Sequence, residues 1–153
     1  MVCLGNICRS PLAEGILRAK AAEAGINVEI DSAGISNYHD GESPDHRAME
    51  TASQFGVDIS YQRARKVQSS DYSDFDLLLA MDRSVYEDLN SGAEIYDKQD
   101  KVELFLHYSG QNDVDDVPDP YYGGSDGFKN VYKLIDEACE RIVDRWQMMG
   151  IDN

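Results

Sequence analysis

The chain has 153 residues, of which 29 are acidic and 14 basic, so its formal net charge is -15 and its isoelectric point is near 4.3. This length fits one domain over residues 1–153, and 42% hydrophobic residues are typical of a globular core. The acidic balance argues against nucleic acid and anionic membranes as partners, since both are bound by basic surfaces. No apolar run approaches the ~20 residues of a membrane span, and three cysteines are too few for a secreted disulfide framework. We therefore expect a cytoplasmic monomer.

The first third of the chain predicts a loop, a helix and a strand. Residues 3–9 contain Gly and are typical of a turn, and Ser10-Pro11 is a good cap and first-turn pair for the helix that follows. An apolar stripe continues from there to Gly25, which favours a helix end. Residues 26–30 alternate apolar and polar side chains and predict a strand.

The remaining elements follow from the same kinds of pattern. They are a helix opened by Ser43-Pro44 that ends near Gly56, a buried strand over 75–81, a short helix over 84–90, a strand over 102–106, a surface loop over 112–124 and a long amphipathic helix from 128 to 146. Because strands alternate with helices, we predict an α/β fold: a parallel sheet of about four strands with helices on both faces.

The segment that carries chemistry is residues 3–9, called here the phosphate loop. Its length lets the backbone curl so that N–H groups point at one spot, and Gly5 and Asn6 tolerate the left-handed conformations that such a curl needs. The positive end of the following helix adds to that spot. Arg9 can grip two phosphate oxygens in a fork, and Cys3 lies at the floor, in a field that favours its thiolate. These residues predict nucleophilic phosphoryl transfer.

Five segments resemble those of one known family. Residues 3–11 (CLGNICRSP) resemble the signature loop of the low-molecular-weight protein tyrosine phosphatases, and residues 119–123 (DPYYG) resemble its second signature. Residues 31–34 (DSAG), 43–48 (SPDHRA) and 80–82 (AMD) lie between them and match as well. The resemblance covers essentially the whole chain, and two separated motifs in the family's order make it specific.

The resemblance implies hydrolysis of protein phosphotyrosine through a cysteinyl-phosphate. Cys3 is then the nucleophile, Arg9 the phosphate clamp and Asp119 the general acid that protonates the phenol, whose pKa of ~10 makes it a poor leaving group. Among the aspartates of the 112–124 loop, only the Pro-Tyr-Tyr context singles out Asp119. Ser10 either stabilises the Cys3 thiolate as the leaving group when the cysteinyl-phosphate is hydrolysed or serves only as a helix cap. Both interpretations stay open.

The resemblance also implies a set of supporting residues. Those that bind phosphate or support the loop are Leu4, Gly5, Asn6, Ile7, Cys8 and Ser10. Positions that match supporting residues outside the loop are Ser32, Asp82 and Gln62. Gln62 stands where the family often has His, and we expect it to bond Asn6. Tyr38, Tyr121 and Tyr122 match the aromatic walls of the substrate cleft, with ordinary loop aromatics as the alternative.

Two alternatives to a tyrosine phosphatase are open. Relatives that act on phosphoarginine commonly carry Thr at the position of Ile7, so the branched apolar side chain favours phosphotyrosine. Arsenate reductases with this fold relay electrons through further cysteines, and this chain has none between Cys8 and Cys139. A phosphate-binding module without activity would lose the nucleophile or the acid, and both are present. Cys139 falls between apolar helix positions and is predicted to be a core residue.

The two loop cysteines suggest redox regulation. In the family, the second one pairs with the nucleophile and shields it from overoxidation, so Cys8 is expected to form a disulfide with Cys3.

No cofactor or metal is expected. The three histidines, His39, His46 and His107, have no ligand spacing, and no cysteine cluster joins them. The expected partners are tyrosine-phosphorylated proteins.

The strand before the phosphate loop is unusually short. Only Met1 and Val2 precede Cys3, whereas strands usually run ~5–6 residues. The sequence therefore predicts a truncated first strand and a natural start a few apolar residues upstream. It also predicts that the 153-residue form is less stable and less active than an extended one.

Overall fold

The computed structural model describes residues 1–151, apart from the side chains of Tyr122 and Ser125, as an α/β fold. Within these residues, four strands form one parallel sheet in the order β2-β1-β3-β4. The strands are β1 Val2–Cys3, β2 Ala33–Gly34, β3 Leu78–Ala80 and β4 Val102–Leu104. The helices are α1 Arg9–Glu23, α2 His46–Gln54, α3 Asp71–Asp74, α4 Arg83–Ile95, α5 Phe105–Tyr108 and α6 Ser125–Met148. The predicted fold class is confirmed.

Helices cover both faces of the sheet, and the strand residues alternate between the two. Along β3, Leu78 and Ala80 pack in a core cluster with residues of α4, while Leu79 joins the cluster that contains residues of α1 and α6. Val2 and Cys3 of β1 divide between the clusters in the same way. Strands buried on both faces have nearly continuous apolar sequences, which is why the 75–81 run stood out.

Because β1 is an inner strand, its carboxyl end lies in the middle of the row of strand ends on one side of the sheet. Cys3 is the last residue of β1, and the phosphate loop follows it directly into α1. The pairing continues beside the loop, where the N–H groups of Ile35 and Ser36 donate to the carbonyls of Cys3 and Leu4 at 3.0 and 2.9 Å. Residues that follow the parallel strands therefore gather around Cys3, as ligand sites do at such edges.

The strand predicted over 26–30 is wrong. The strand that pairs with β1 on this side is Ala33–Gly34, and residues 26–30 belong to no strand. The alternation is real, since Ile26 and Ile30 are buried and the residues next to them are not. The register pairs Val2 with Ala33 and Cys3 with Gly34, and among the described residues no strand pairs with residues 26–30.

The ends of other strands and helices differ from the predicted ones by a few residues. The strand over 75–81 is confined to β3, and the strand over 102–106 ends at Leu104 because Leu106 already belongs to α5. Helix α1 begins at Arg9 with Cys8 as its cap residue, so Ser10 is not a helix cap. Helices α2 and α4 begin after Asp45 and Asp82, whose carboxylates accept backbone N–H groups in the first turn, the usual task of Asp at this position.

Helix α6 closes the core against α1, as the apolar spacing at the end of the chain predicted. Cys139 is fully buried there, and burial raises the pKa of its thiol, as expected of a core cysteine. Among residues 1–151, no helix has the length and apolar character that crossing a membrane would require.

Candidate active site

The phosphate loop curls around the sulfur of Cys3. Asn6 adopts the left-handed conformation with φ 57°, which turns its backbone N–H back toward Cys3 Sγ at 3.3 Å. β2 lies directly under this curl: a Cβ added at Gly34 would be 3.0 Å from the Leu4 carbonyl oxygen and 3.1 Å from the Gly5 carbonyl carbon. Only glycine lets the strand approach the loop this closely.

Ser10 faces the sulfur of Cys3 rather than the helix end. Its hydroxyl oxygen lies 3.0 Å from Cys3 Sγ and accepts a hydrogen bond of 2.8 Å from the Asn6 side-chain amide. That amide also donates to Ser32 at 3.0 Å, and its oxygen accepts the backbone N–H of Arg65. The three side-chain bonds of Asn6 hold a residue whose backbone is otherwise unfavourable for a non-glycine.

The network ends at a buried carboxyl group that the sequence analysis missed. Glu14 is 3% exposed and accepts hydrogen bonds from Ser32 at 2.8 Å and from the Tyr61 hydroxyl at 3.2 Å. Burial raises the pKa of Glu14, against the opposing effects of the Ser32 bond and the charge of Arg18.

The bond expected between Gln62 and Asn6 is absent from the described contacts. Gln62 instead donates to the Pro11 carbonyl at 3.0 Å, and its amide oxygen lies 3.5 Å from the Ser32 hydroxyl. Gln62 therefore supports the start of α1, and it reaches the Asn6 network only through Ser32.

Arg9 is buried beneath the loop and held in place before any substrate binds. It is 3% exposed, and its Nη1 donates to Asp82 at 2.7 Å and to the Val117 carbonyl at 3.0 Å. Burial alone would lower the pKa of Arg9, but the surrounding charges of Cys3, Asp82 and Asp119 outweigh it and raise the pKa. A buried cation needs such partners to remain charged.

The loop over 112–124, called here the acid loop, brings Asp119 to the same place. Its Oδ2 lies 3.7 Å from Arg9 Nη2, and its Oδ1 accepts the backbone N–H of Tyr121 at 3.0 Å. Two other aspartates of the run have partners elsewhere: Asp115 pairs with Arg83 and with His107, and Asp116 accepts the backbone N–H of Arg83. Among the aspartates of the run, the geometry therefore favours Asp119 as the one that serves the cleft.

A cleft of about 440 Å³ opens above Cys3. Its lining includes Leu4, Gly5, Ile7, Cys8 and Arg9 from the loop, with Asp119, Tyr38 and Tyr121 around them, so the structure brings these predicted residues together. Ser36 and His39 also line it and were not predicted. The side chain of Tyr122 lies outside the described residues.

His39 packs against the phosphate loop. A Cβ added at Gly5 would be 3.1 Å from His39 Cδ2, and His39 Nδ1 pairs with Glu42 at 2.7 Å. Its position beside the predicted Tyr38 was the signal that could have found it. Among the described residues, no group of three or more His, Cys, Asp or Glu side chains is arranged to hold a metal ion.

Comparison with family models matches residues 1–149 to "Low molecular weight phosphotyrosine protein phosphatase". The chain belongs to this family. YfkJ of Bacillus subtilis, a low molecular weight protein-tyrosine-phosphatase, is 40% identical over 144 residues, which cover 93% of this chain and 90% of YfkJ. The chain is thus a phosphatase of the low-molecular-weight type, as the sequence predicted.

Solved structures of the family share the whole fold. The crystal structure of YfkJ matches with a TM-score of 0.88 at 38% identity, covering 97% of this chain and 92% of that one. A protein tyrosine phosphatase of Entamoeba histolytica matches with a TM-score of 0.88 at 34% identity, covering 97% and 96%. A Drosophila arginine phosphatase also reaches 0.88, at 31% identity and 95% coverage of each chain. Because phosphatases of both specificities share the fold, the fold alone does not determine the substrate class.

Proposed function

We propose that this enzyme hydrolyses phosphotyrosine in proteins through a cysteinyl-phosphate. The observation that carries the proposal is the convergence on one cleft of the Cys3 sulfur, the buried Arg9 fork and the Asp119 carboxyl group. The Asn6 N–H donates to the sulfur at 3.3 Å and the Ser10 hydroxyl lies 3.0 Å from it, so both groups are placed to stabilise negative charge there. The whole chain, residues 1–153, acts as one phosphatase domain in this proposal.

In the first step, the Cys3 thiolate attacks phosphorus and the bond from phosphorus to the phenol oxygen breaks. Asp119 gives its proton to that oxygen, so a neutral phenol leaves. In the second step, water attacks the cysteinyl-phosphate, Asp119 accepts a proton from the water, and the sulfur–phosphorus bond breaks. Ser10 donates to the sulfur as it leaves, and Arg9 binds the phosphoryl oxygens throughout.

The lining of the cleft supports an aromatic substrate. Tyr38 and Tyr121 stand at the mouth, 83% and 39% exposed, and Ile7 adds an apolar side chain to the floor. A phenyl ring can pack between these groups, whereas a phosphorylated guanidinium would gain less from apolar contact. Arginine phosphatase activity is the alternative that the relatives keep open.

Turnover by single variants tests the proposal. Cys3→Ser should abolish hydrolysis of phosphotyrosine and keep phosphate binding, whereas Cys139→Ser, which changes a core thiol, should retain activity. The wild type should hydrolyse phosphotyrosine far faster than phosphoarginine. Activity in Cys3→Ser would refute the nucleophile, and a preference for phosphoarginine would refute the substrate.

Redox control of the site is part of the proposal. Peroxide oxidises the Cys3 thiolate to a sulfenic acid, and the Cys8 thiol condenses with it, releasing water and forming a disulfide. Burial raises the pKa of Cys8, so at neutral pH its thiol is a weaker nucleophile than an ordinary cysteine. Peroxide inactivation should be reversed by a thiol reductant, and in Cys8→Ser it should become largely irreversible. Peptide mapping without a Cys3–Cys8 link would contradict this.

A further inference from the structure

Arg47 lies outside the cleft, yet it bridges the two loops that form it. It is the second residue of α2, and its guanidinium forms a fork on Asp45, with Nε 3.1 Å from Oδ1 and Nη2 3.1 Å from Oδ2. Asp45 is itself fixed to the phosphate loop, because its backbone N–H donates to the Ile7 carbonyl at 2.8 Å. One end of the bridge is therefore anchored beside the floor of the cleft.

The other end of the bridge is the acid loop. Arg47 Nη2 donates to the Tyr121 carbonyl at 3.0 Å. The guanidinium carbon lies 5.4 Å from the centre of the Tyr121 ring and 4.7 Å from the centre of the Phe128 ring of α6. A guanidinium over aromatic faces is favourable, and its planar fork is preorganised to bind two acceptors.

Tyr121, which Arg47 holds at its carbonyl, in turn orients Asp119, the proposed general acid. The N–H of Tyr121 donates to Asp119 Oδ1 at 3.0 Å, so the backbone of Tyr121 is fixed at its carbonyl by Arg47 and supports Asp119 through its N–H. An oxygen that accepts an N–H bond serves as the carbonyl oxygen of a protonated carboxyl group. Oδ2, which lies 3.7 Å from Arg9 Nη2, is then the oxygen left for proton transfer in the proposed mechanism.

We infer that Arg47 is a positioning residue for proton transfer by Asp119, and the inference rests on the proposed role of Asp119. Without the bridge, the Tyr121 backbone loses its anchor and Oδ2 no longer faces the leaving oxygen. The phosphate loop itself keeps its contacts, because Asp45 still caps α2 through the backbone N–H of Arg47. The loss should therefore fall on leaving groups that need the proton, and not on phosphate binding.

The test compares Arg47→Met with the wild type on two substrates. Phenyl phosphate has a basic leaving group and 4-nitrophenyl phosphate an acidic one, and kcat/KM reports every step up to departure of the phenol. We expect kcat/KM for phenyl phosphate to fall roughly 10- to 100-fold, the size of a misplaced catalytic group, with a much smaller change for 4-nitrophenyl phosphate. Inhibition by inorganic phosphate should stay unchanged. Arg141→Gln, which breaks an exposed ion pair on α6, is the charge-matched control and should behave as wild type on both.

A second pair of variants separates the possible failures. In an Asp119→Asn background, Arg47→Met should cost nothing further on phenyl phosphate, because the proton it positions is gone. Arg47→Lys keeps the charge but cannot form the fork, so it should restore only part of the rate. Equal losses on both substrates with a lower melting temperature, or additive losses with Asp119→Asn, would overturn the inference. If Asp119→Asn itself does not discriminate between the substrates, the proposed general acid is wrong instead.

Discussion

At the scale of single residues, the site concentrates buried polar groups around one sulfur and leaves none of the described ones unpaired. Asn6, Ser10, Ser32 and Glu14 are all buried, and each has hydrogen-bond partners. A buried polar group without a partner costs about 1–3 kcal/mol, so a partly satisfied network would be unstable. The phosphate loop is thus fixed before substrate binds, which lowers the cost of organising it in the transition state.

Ser10→Ala tests the second step of the mechanism. The hydroxyl lies 3.0 Å from Cys3 Sγ, so its loss should make the thiolate a poorer leaving group. We expect kcat to fall by roughly tenfold or more while kcat/KM changes less, because the cysteinyl-phosphate then accumulates. Rapid mixing with 4-nitrophenyl phosphate should show a burst of nitrophenol equal to the enzyme. Ser60→Ala, at an exposed turn, is the control, and equal falls in kcat and kcat/KM would assign Ser10 to the first step.

Glu14→Gln tests the buried carboxyl group through pH. Burial raises the pKa of Glu14 above its ordinary value of 4.5, so the folded chain holds this proton more tightly than the unfolded chain does. The wild type therefore loses stability as pH rises from that value through the raised pKa, and the non-titrating variant does not. The melting temperature of the wild type minus that of Glu14→Gln should fall as pH rises through this window. A difference independent of pH, or one that changes in the opposite sense, would contradict it.

The sequence predicted the proposed catalytic residues more directly than the residues that hold them in place. Cys3, Arg9 and Asp119 stand in short motifs whose spacing carries meaning, so they could be assigned before the fold was known. Glu14 and Arg47 could not, because their roles depend on which carbonyl or hydroxyl lies opposite them in space. Arg47 even lies within a segment that matches the family. The sequence of a helix, however, does not show which group a side chain on that helix will contact.

At the scale of elements, the contact between β2 and the phosphate loop is the tightest constraint on the site. A Cβ at Gly34 would meet backbone atoms of Leu4 and Gly5 at 3.0–3.1 Å, and backbone cannot move aside as a flexible side chain does. Gly34→Ala should therefore destabilise the fold by about 1–3 kcal/mol and weaken inhibition by phosphate, since the loop must shift. Denaturant unfolding and phosphate inhibition measure the two effects.

The control for this prediction is a glycine with open space. Nothing lies within 4 Å of a Cβ added at Gly127, in the first turn of α6, so Gly127→Ala should be neutral or stabilising by up to about 1 kcal/mol. If Gly34→Ala is as stable and as active as Gly127→Ala, the close approach is not a constraint on the loop.

The predicted elements are confirmed where the hydrophobic pattern of the sequence and the packing or backbone pairing in the fold agree. α6 and β3 have apolar spacing that matches what they pack against. Residues 26–30 have the same kind of pattern, yet they form no strand, because a ladder also needs a backbone partner in register and no strand of the described chain pairs with them. Periodicity reports which side chains are buried, and it does not report whether backbone groups have partners.

At the scale of the whole molecule, a strongly negative surface surrounds a locally positive floor. The net charge is -15, and three arginines around the site are each paired with aspartates: Arg9 with Asp82 and Asp119, Arg47 with Asp45, and Arg83 with Asp115. The attraction for phosphate is thus short-ranged, whereas the field far from the cleft repels an anion. Salt screens the long-range part and hardly affects a buried pair.

We therefore expect kcat/KM for an anionic substrate to rise, rather than fall, with ionic strength. Between about 0.01 and 0.15 M salt the Debye length falls from ~30 to ~8 Å, so the long-range repulsion is removed while the contacts of Arg9 at the floor persist. We expect kcat/KM for the small dianion 4-nitrophenyl phosphate to rise over this range, with kcat unchanged, because encounter improves and chemistry does not. A phosphotyrosine peptide flanked by lysines is the matched substrate of opposite charge, and its kcat/KM should fall over the same range. A rate for the dianion that falls with salt would mean that the positive field of the loop extends beyond the mouth of the cleft.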